Sequence, residues 1–237
     1  MIYLIKMNIS IDEIFGWSAA CFSIIIHFLA IKESILLYRA KAKYTLIPTY
    51  IRVENIINYF VCASWFMYSI FLKDNHLLIC NSIGSIFFLF WIVLVFFLYF
   101  RKINCTKYFM FVLISFLFIP CIYFMFRFSL YFTGKICAAL YIISYFGYIL
   151  EIKEIIRTKN FRIIKIRICI LKLLQHICWF IYGFMIVNLD IVIPHVVGFI
   201  LVFVSAFFWN YYKKRSGSER LSNRSVDVMR NRAEFTI

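Results

Sequence analysis

Seven uncharged, strongly apolar runs follow one another along the chain: Ile14–Ile31, Ile56–Leu72, Asn75–Phe100, Tyr108–Phe126, Ile136–Leu150, Leu173–Leu189 and Ile191–Tyr212. A helix needs about 20 such residues to cross a hydrocarbon layer of about 30 Å. Lipid offers no hydrogen-bond partner to an open backbone, so runs of this length are expected to be transmembrane helices. Strands are excluded because the runs are too long and show no period of two. The fifth run has 15 residues and is expected to gain length from Thr133–Lys135, with Lys135 snorkelling to the interface. The reading is an all-α membrane protein with seven transmembrane helices.

Composition agrees with that reading. Of 237 residues, 64% are hydrophobic and 16% charged, whereas soluble domains carry about a quarter charged residues. The net charge of +15 does not imply a nucleic-acid partner, because no groove-reading motif accompanies it. Eight cysteines lie scattered with no CxxC pair, and His27, His76, His176 and His195 are widely spaced. No metal site, cofactor or enzyme active site is expected from such a pattern. Lysine and arginine instead set the topology. The odd-numbered loops and the tail after Tyr212 hold 22 of them, and the opposite side holds 4: Lys6, Lys73, Arg127 and Lys135. By the positive-inside rule the amino terminus faces outward and the tail is cytosolic. The tail, rich in Arg, Ser and Asn, is expected to be disordered.

An internal repeat organises the runs. Trp65, Phe66, Tyr68, Asn81 and Gly84 recur as Trp179, Phe180, Tyr182, His195 and Gly198, all at one offset of 114 residues. Two triplets joined by a single crossing helix would run parallel to each other, an arrangement that places a solute site at their interface. The expected division is residues 1–107 for the first three-helix repeat, 108–127 for the linker helix, 128–212 for the second repeat and 213–237 for the tail, a 3+1+3 plan.

The repeat also places polar residues. Trp65 and Asn81 each lie eight residues from position 73, or about 12 Å along a helix. Trp179 and His195 stand likewise around position 187. Two indoles and two polar side chains are therefore expected at one depth, facing across the interface. An indole face stacks on the C–H face of a sugar ring, while an amide or a neutral imidazole hydrogen-bonds its hydroxyls. The acids nearest the spans, Glu54, Asp74, Glu151 and Asp190, lie at their edges. No carboxylate is expected at mid-depth to relay protons or to hold an ammonium group, which favours a neutral solute and passive transport.

At these residues the chain resembles the SWEET sugar-transporter family. The resemblance rests on Trp179-Phe180-Ile181-Tyr182-Gly183 followed by Pro194-His195-Val196-Val197-Gly198. It is supported by Trp65–Ser69, Lys73-Asp74-Asn75 and Asn81–Gly84, and by the basic stretches Arg39–Lys43 and Arg157–Lys159. The resemblance implies bidirectional facilitated diffusion of a small sugar by rocking of the two triplets, often in homo-oligomers, at the plasma membrane. It assigns the solute to Trp65, Asn81, Trp179 and His195, and an outer gate to Tyr68 and Asp190. Of the prolines Pro48, Pro120 and Pro194, only Pro48 fits the family's inner-gate positions. Gly147 is expected to give the fifth helix its flexibility. His195 stands where the family has a second asparagine.

Two other readings share the topology. A seven-helix receptor has no parallel repeat, and Asp-Arg-Tyr and Asn-Pro-x-x-Tyr are both absent. A PQ-loop-like carrier of another small solute has the same plan, but its Pro-Gln signature is missing. The orientation is directly testable at the surface of an expressing cell. A tag before Ile14 should be reached by antibody on intact cells, and one after Arg232 only after permeabilisation; the reverse pattern would overturn the orientation.

Overall fold

The computed structural model describes residues 10–39, 49–99, 130–159, 161 and 165–234. These residues form seven helices: α1 (Ile11–Arg39), α2 (Thr49–Leu72), α3 (Asn75–Tyr99), α4 (Leu130–Ser144), α5 (Phe146–Thr158), α6 (Ile166–Met185) and α7 (Leu189–Glu234). Six stretches are long and apolar enough to cross a membrane: Ile11–Ala30, Asn55–Leu72, Asn75–Leu94, Tyr131–Thr158, Ile166–Met185 and Leu189–Ser216. The chain is an all-helical, multi-pass membrane protein. The expected linker helix at Tyr108–Phe126 and the expected gate residue Pro48 lie outside the described residues.

Three boundaries differ from the sequence reading. The fifth span takes in Thr133–Lys135 as expected and runs on to Thr158, so α4 and α5 together make one 28-residue crossing from Tyr131. It is broken at Tyr145, two residues before Gly147. There Ser144 Oγ donates back to Tyr141 O (2.6 Å), Tyr145 N bonds Ile142 O (3.1 Å) and Tyr148 N bonds Tyr145 O (3.0 Å). The turn tightens to i−3 bonding, and serine back-bonding of this kind bends a helix. The sixth span starts at Ile166, which brings Lys172 inside a helix although its charge had marked it as loop. It ends at Met185, where a turn replaces the expected continuation to Leu189. Finally, the tail expected to be disordered continues α7 to Glu234. No proline follows Pro194, and straight-chain Lys, Arg, Glu, Leu and Met sustain a helix despite the polar composition.

Packing follows a repeated plan. α3 lies against both α1 and α2, while α7 lies against α6 and against α4 and α5. The two groups meet where α1 packs on α6 and where α2 packs on α4 and α5. The 114-residue offset reappears as geometry. Lys73 (φ 56°) and Val187 (φ 55°) both take the left-handed conformation that ends a helix and reverses the chain. The indole of Trp65 meets the ring of Tyr68 edge-on at 5.6 Å and 74°, and that of Trp179 meets Tyr182 at 5.6 Å and 73°. Gly84 leaves room for Cys62 and His27, and Gly198 for His176 and Tyr145. Cys62 and His176 are themselves 114 residues apart.

These two glycines are sites of close approach. A Cβ at Gly84 would stand 2.8 Å from both Cys62 Sγ and His27 Nε2; one at Gly198 would stand 2.5 Å from His176 Cε1 and collide with Tyr145. Overpacking of this kind costs about 1–3 kcal/mol. Gly198→Ala should lower the melting temperature in detergent more than Gly84→Ala, because His176 and Tyr145 are tied by hydrogen bonds to α7 and cannot swing away. Fluorescence-detected size exclusion after heating reads the difference, and an unchanged melt for Gly198→Ala would contradict this packing.

Candidate functional site

A cavity of about 50 Å³ lies between the two helix groups. Trp65 on α2, Asn81 on α3, Trp179 on α6 and His195 on α7 all line it. At about 10–15 Å³ per water on this measure, it has room for a few water molecules, less than a sugar ring occupies. Both indoles and His195 are buried, at 4%, 2% and 5% exposure. The cavity lining contains no acidic residue among the described residues; it adds Ser23, His27, Asn58 and Gln175 to the polar set.

The two walls differ in how their polar atoms are engaged. On the α6 side, Ser23 Oγ of α1 accepts from Gln175 Nε2 (2.8 Å) and Trp179 Nε1 (3.0 Å), and donates to Ala19 O (2.8 Å). One face of the Trp179 indole is stacked on His195 at 5.9 Å and 17°. The His195 ring is fixed in turn by His176, Nδ1 to Nδ1 at 3.0 Å. Such an approach requires one of the two nitrogens to carry a proton and the other to accept it. Tyr141 meets His195 edge-on at 5.1 Å and approaches Trp65 at 6.5 Å, so it spans both walls. On the α2 side, Asn81 Nδ2 bonds the Leu77 carbonyl of its own helix (2.8 Å), and Trp65 Nε1 is buried without a hydrogen-bond partner among the described residues. Ser23, Gln175 and His176 escaped the sequence reading because isolated polar residues in an apolar run carry no periodic signal.

At the end of the bundle that carries the Lys73 and Val187 turns, the helix groups are latched together. Asp74 Oδ1 caps α3 by accepting from the backbone of His76 (2.9 Å) and Leu77 (3.0 Å). Its other oxygen accepts from the hydroxyl of Tyr182 on α6 at 2.6 Å. Asn188, 114 residues later, repeats both functions: its Oδ1 accepts from Asp190 N (3.0 Å), and its Nδ2 reaches the hydroxyl of Tyr68 at 3.4 Å. The expected gate pair is thus differently wired. Tyr68 meets Asn188, while Asp190 is held by Lys135 at 3.0 Å. Both Asp190 and Tyr68 nevertheless crowd Gly134, where a side chain would collide with them. Lys135, near the start of α4, makes this pair across helices with its side chain 45% exposed. The Asp74–Tyr182 latch was missed because the expected gate used Asp190, whose offset counterpart is His76, whereas the counterpart of Asp74 is Asn188.

Comparison with known proteins gives two findings. Residues 130–217 match the family described as "Sugar efflux transporter for intercellular exchange". The fold is similar to that in "The 3.7 A resolution structure of a eukaryotic SWEET transporter", with a TM-score of 0.73 and 16% identity, over 86% of this chain and 100% of that one. The first bears out the resemblance read from the sequence, and the second bears out its fold.

The two latches are unequal, and that is measurable. A hydrogen bond to a charged group contributes about 1.5–3 kcal/mol, against about 0.5–1.5 kcal/mol for a neutral one of good geometry. Tyr182→Phe should therefore loosen the turn end more than Tyr68→Phe. In hydrogen–deuterium exchange, amides of residues 73–77 should exchange roughly tenfold faster in Tyr182→Phe. Equal protection in the two variants would show that Asp74 does not hold the groups together.

Proposed function

The chain has the fold of a SWEET transporter, and on that premise we propose that it is a passive, bidirectional carrier of a small neutral sugar, working by alternating access. The observation that carries this reading is the convergence of Trp65, Asn81, Trp179 and His195 on one cavity with no acid among its described lining residues. The matching of residues 130–217 to a sugar-efflux family supports it from the second repeat.

In this reading the two helix groups are the parallel halves of a 3+1+3 bundle. Residues 108–127 supply the linking span, the amino terminus lies outside, and α7 ends in the cytosol of a plasma-membrane protein. The latched turn end is the outer gate, closed here by Asp74–Tyr182, Asn188–Tyr68 and Lys135–Asp190. A cavity too small for a sugar behind a closed gate means that the walls must part for the solute to enter. The sugar then lies between the two indoles, with Asn81 and the free edge of His195 taking its hydroxyls. Rocking at the Tyr145 break passes it on. A copy-to-copy contact is part of the proposal only as the family's habit.

Uptake of labelled hexoses and sucrose into liposomes carrying the purified protein tests the reading. Trp65→Ala and Trp179→Ala should each nearly abolish uptake while the protein stays folded and its abundance changes by less than about twofold. Loss of a stacking contact alone weakens binding by about 0.5–1.5 kcal/mol beyond lost area, and the cavity loses its shape as well. Normal uptake in both variants would reduce the indoles to helix packing.

A further inference from the structure

The two indoles of the cavity are held differently, and the cause is one hydroxyl. Trp179 is constrained at its edge and on one face. Its Nε1 donates to Ser23 Oγ at 3.0 Å, and His195 covers a face at 5.9 Å and 17°. Trp65 keeps the matching edge-on contact with its own tyrosine, yet its Nε1 is buried with no hydrogen-bond partner among the described residues.

The capacity of Ser23 is fully used. A hydroxyl has one proton and two lone pairs. The proton goes to Ala19 O at 2.8 Å, one lone pair takes Gln175 Nε2 at 2.8 Å, and the other takes the indole. Ser23 lines the cavity but has no bond left for a solute, so whatever it does there it does through its partners. Those partners lie on α6, whereas Ser23 lies on α1, in the other helix group.

The repeat supplies an independent comparison. The counterpart of Ser23, 114 residues on, is Cys137, and the counterpart of Gln175 is Val61. Cys137 and Trp65 belong to one buried cluster. A thiol is a weak acceptor where a hydroxyl is a good one. The half with the hydroxyl has a tethered indole, and the half with the thiol has an indole without a partner.

We propose that Ser23 is a positioning residue for solute binding: from the first repeat it fixes the plane of Trp179 in the second, so that the indole stands ready to stack on a sugar ring. This rests on the carrier reading above. An indole released at its edge must be ordered again each time a solute binds, and a pre-ordered one need not be. The loss of the tether therefore falls on KM and leaves the maximal rate in place.

The test is equilibrium exchange of labelled glucose and of sucrose in liposomes, with the amount of reconstituted protein matched. Threonine and valine have the same shape and differ only in the hydroxyl, while cysteine gives this wall the residue of the other. Ser23→Thr should keep KM within about twofold of wild type, and Ser23→Val and Ser23→Cys should each raise it roughly fivefold at an unchanged maximal rate. Trp179→Phe keeps a ring but lacks the N–H, so adding Ser23→Cys to it should raise KM no further. Infrared difference spectra of the purified protein give a second readout, which does not depend on transport. Ser23→Cys should shift one indole N–H band toward the free position, and the shift should vanish in the Trp179→Phe background. Should valine disturb packing, cysteine, close to serine in size, carries the comparison. Equal KM for the Thr, Val and Cys variants, or an unmoved N–H band, overturns the positioning role and leaves the carrier standing. Absence of exchange of both sugars in wild type overturns the carrier reading and the positioning role with it.

Discussion

Hydrocarbon supplies no hydrogen-bond partners, so a polar group inside the spans is costly unless the protein provides one. Most serines here settle the matter locally: Ser64, Ser69, Ser82, Ser85 and Ser205 donate to carbonyls one turn back in their own helices. The few side chains that reach across helices are therefore informative. Among the described residues, the inter-helix hydrogen bonds named above lie in three places: the Ser23–Gln175–Trp179 and His176–His195 clusters at the cavity, the tyrosine latches at the turn end, and Tyr145 OH on Pro194 O (2.9 Å) at the break in the fifth span. Cavity, latch and bend are where the membrane's demand is met between helices instead of within one.

The latch economises on residues. Asp74 and Asn188 each end a turn, start a helix and hold a tyrosine of the other helix group, so chain reversal and closure depend on the same two side chains. Replacing either would loosen a helix end and the closure together. The difference between a carboxylate and an amide at equivalent positions makes one closure short and charged and the other long and neutral. Lys135 and Asp190 add an ion pair on the weaker side.

Much of this was legible in the residues. Run lengths located the described spans, and the 114-residue offset located both turns at positions 73 and 187 before any coordinates. The four cavity residues followed from counting turns outward. What escaped did so for physical reasons. Lys172 was read as loop because a charge ends an apolar run, yet a long side chain can lay its charge over an aromatic ring, here that of Tyr148 at 4.3 Å. Gln175 and Ser23 are lone polar residues whose meaning lies in each other, 152 positions apart. Asn188 was overlooked because the family resemblance put the gate acid at Asp190, while capping geometry favours the position immediately before the helix. The length of α7 was hidden by a composition that describes solubility better than backbone preference.

The unequal wiring of the cavity walls has a consequence for how such a protein can change over generations. On the α6 side, Ser23 joins Gln175 and Trp179 while His176 pairs with His195 through Nδ1, so losing a member of either set strands a buried donor or acceptor at about 1–3 kcal/mol. Substitutions there are viable mainly in concert, and the positions should vary together across a lineage. The α2 wall is under no such constraint: Val61, the counterpart of Gln175, makes no polar commitment, and Asn81 answers only to its own helix. Single changes there can accumulate independently. Changes in the shape of the cavity would therefore arise first on the α2 side, with the α6 side held as the fixed wall against which they are tried.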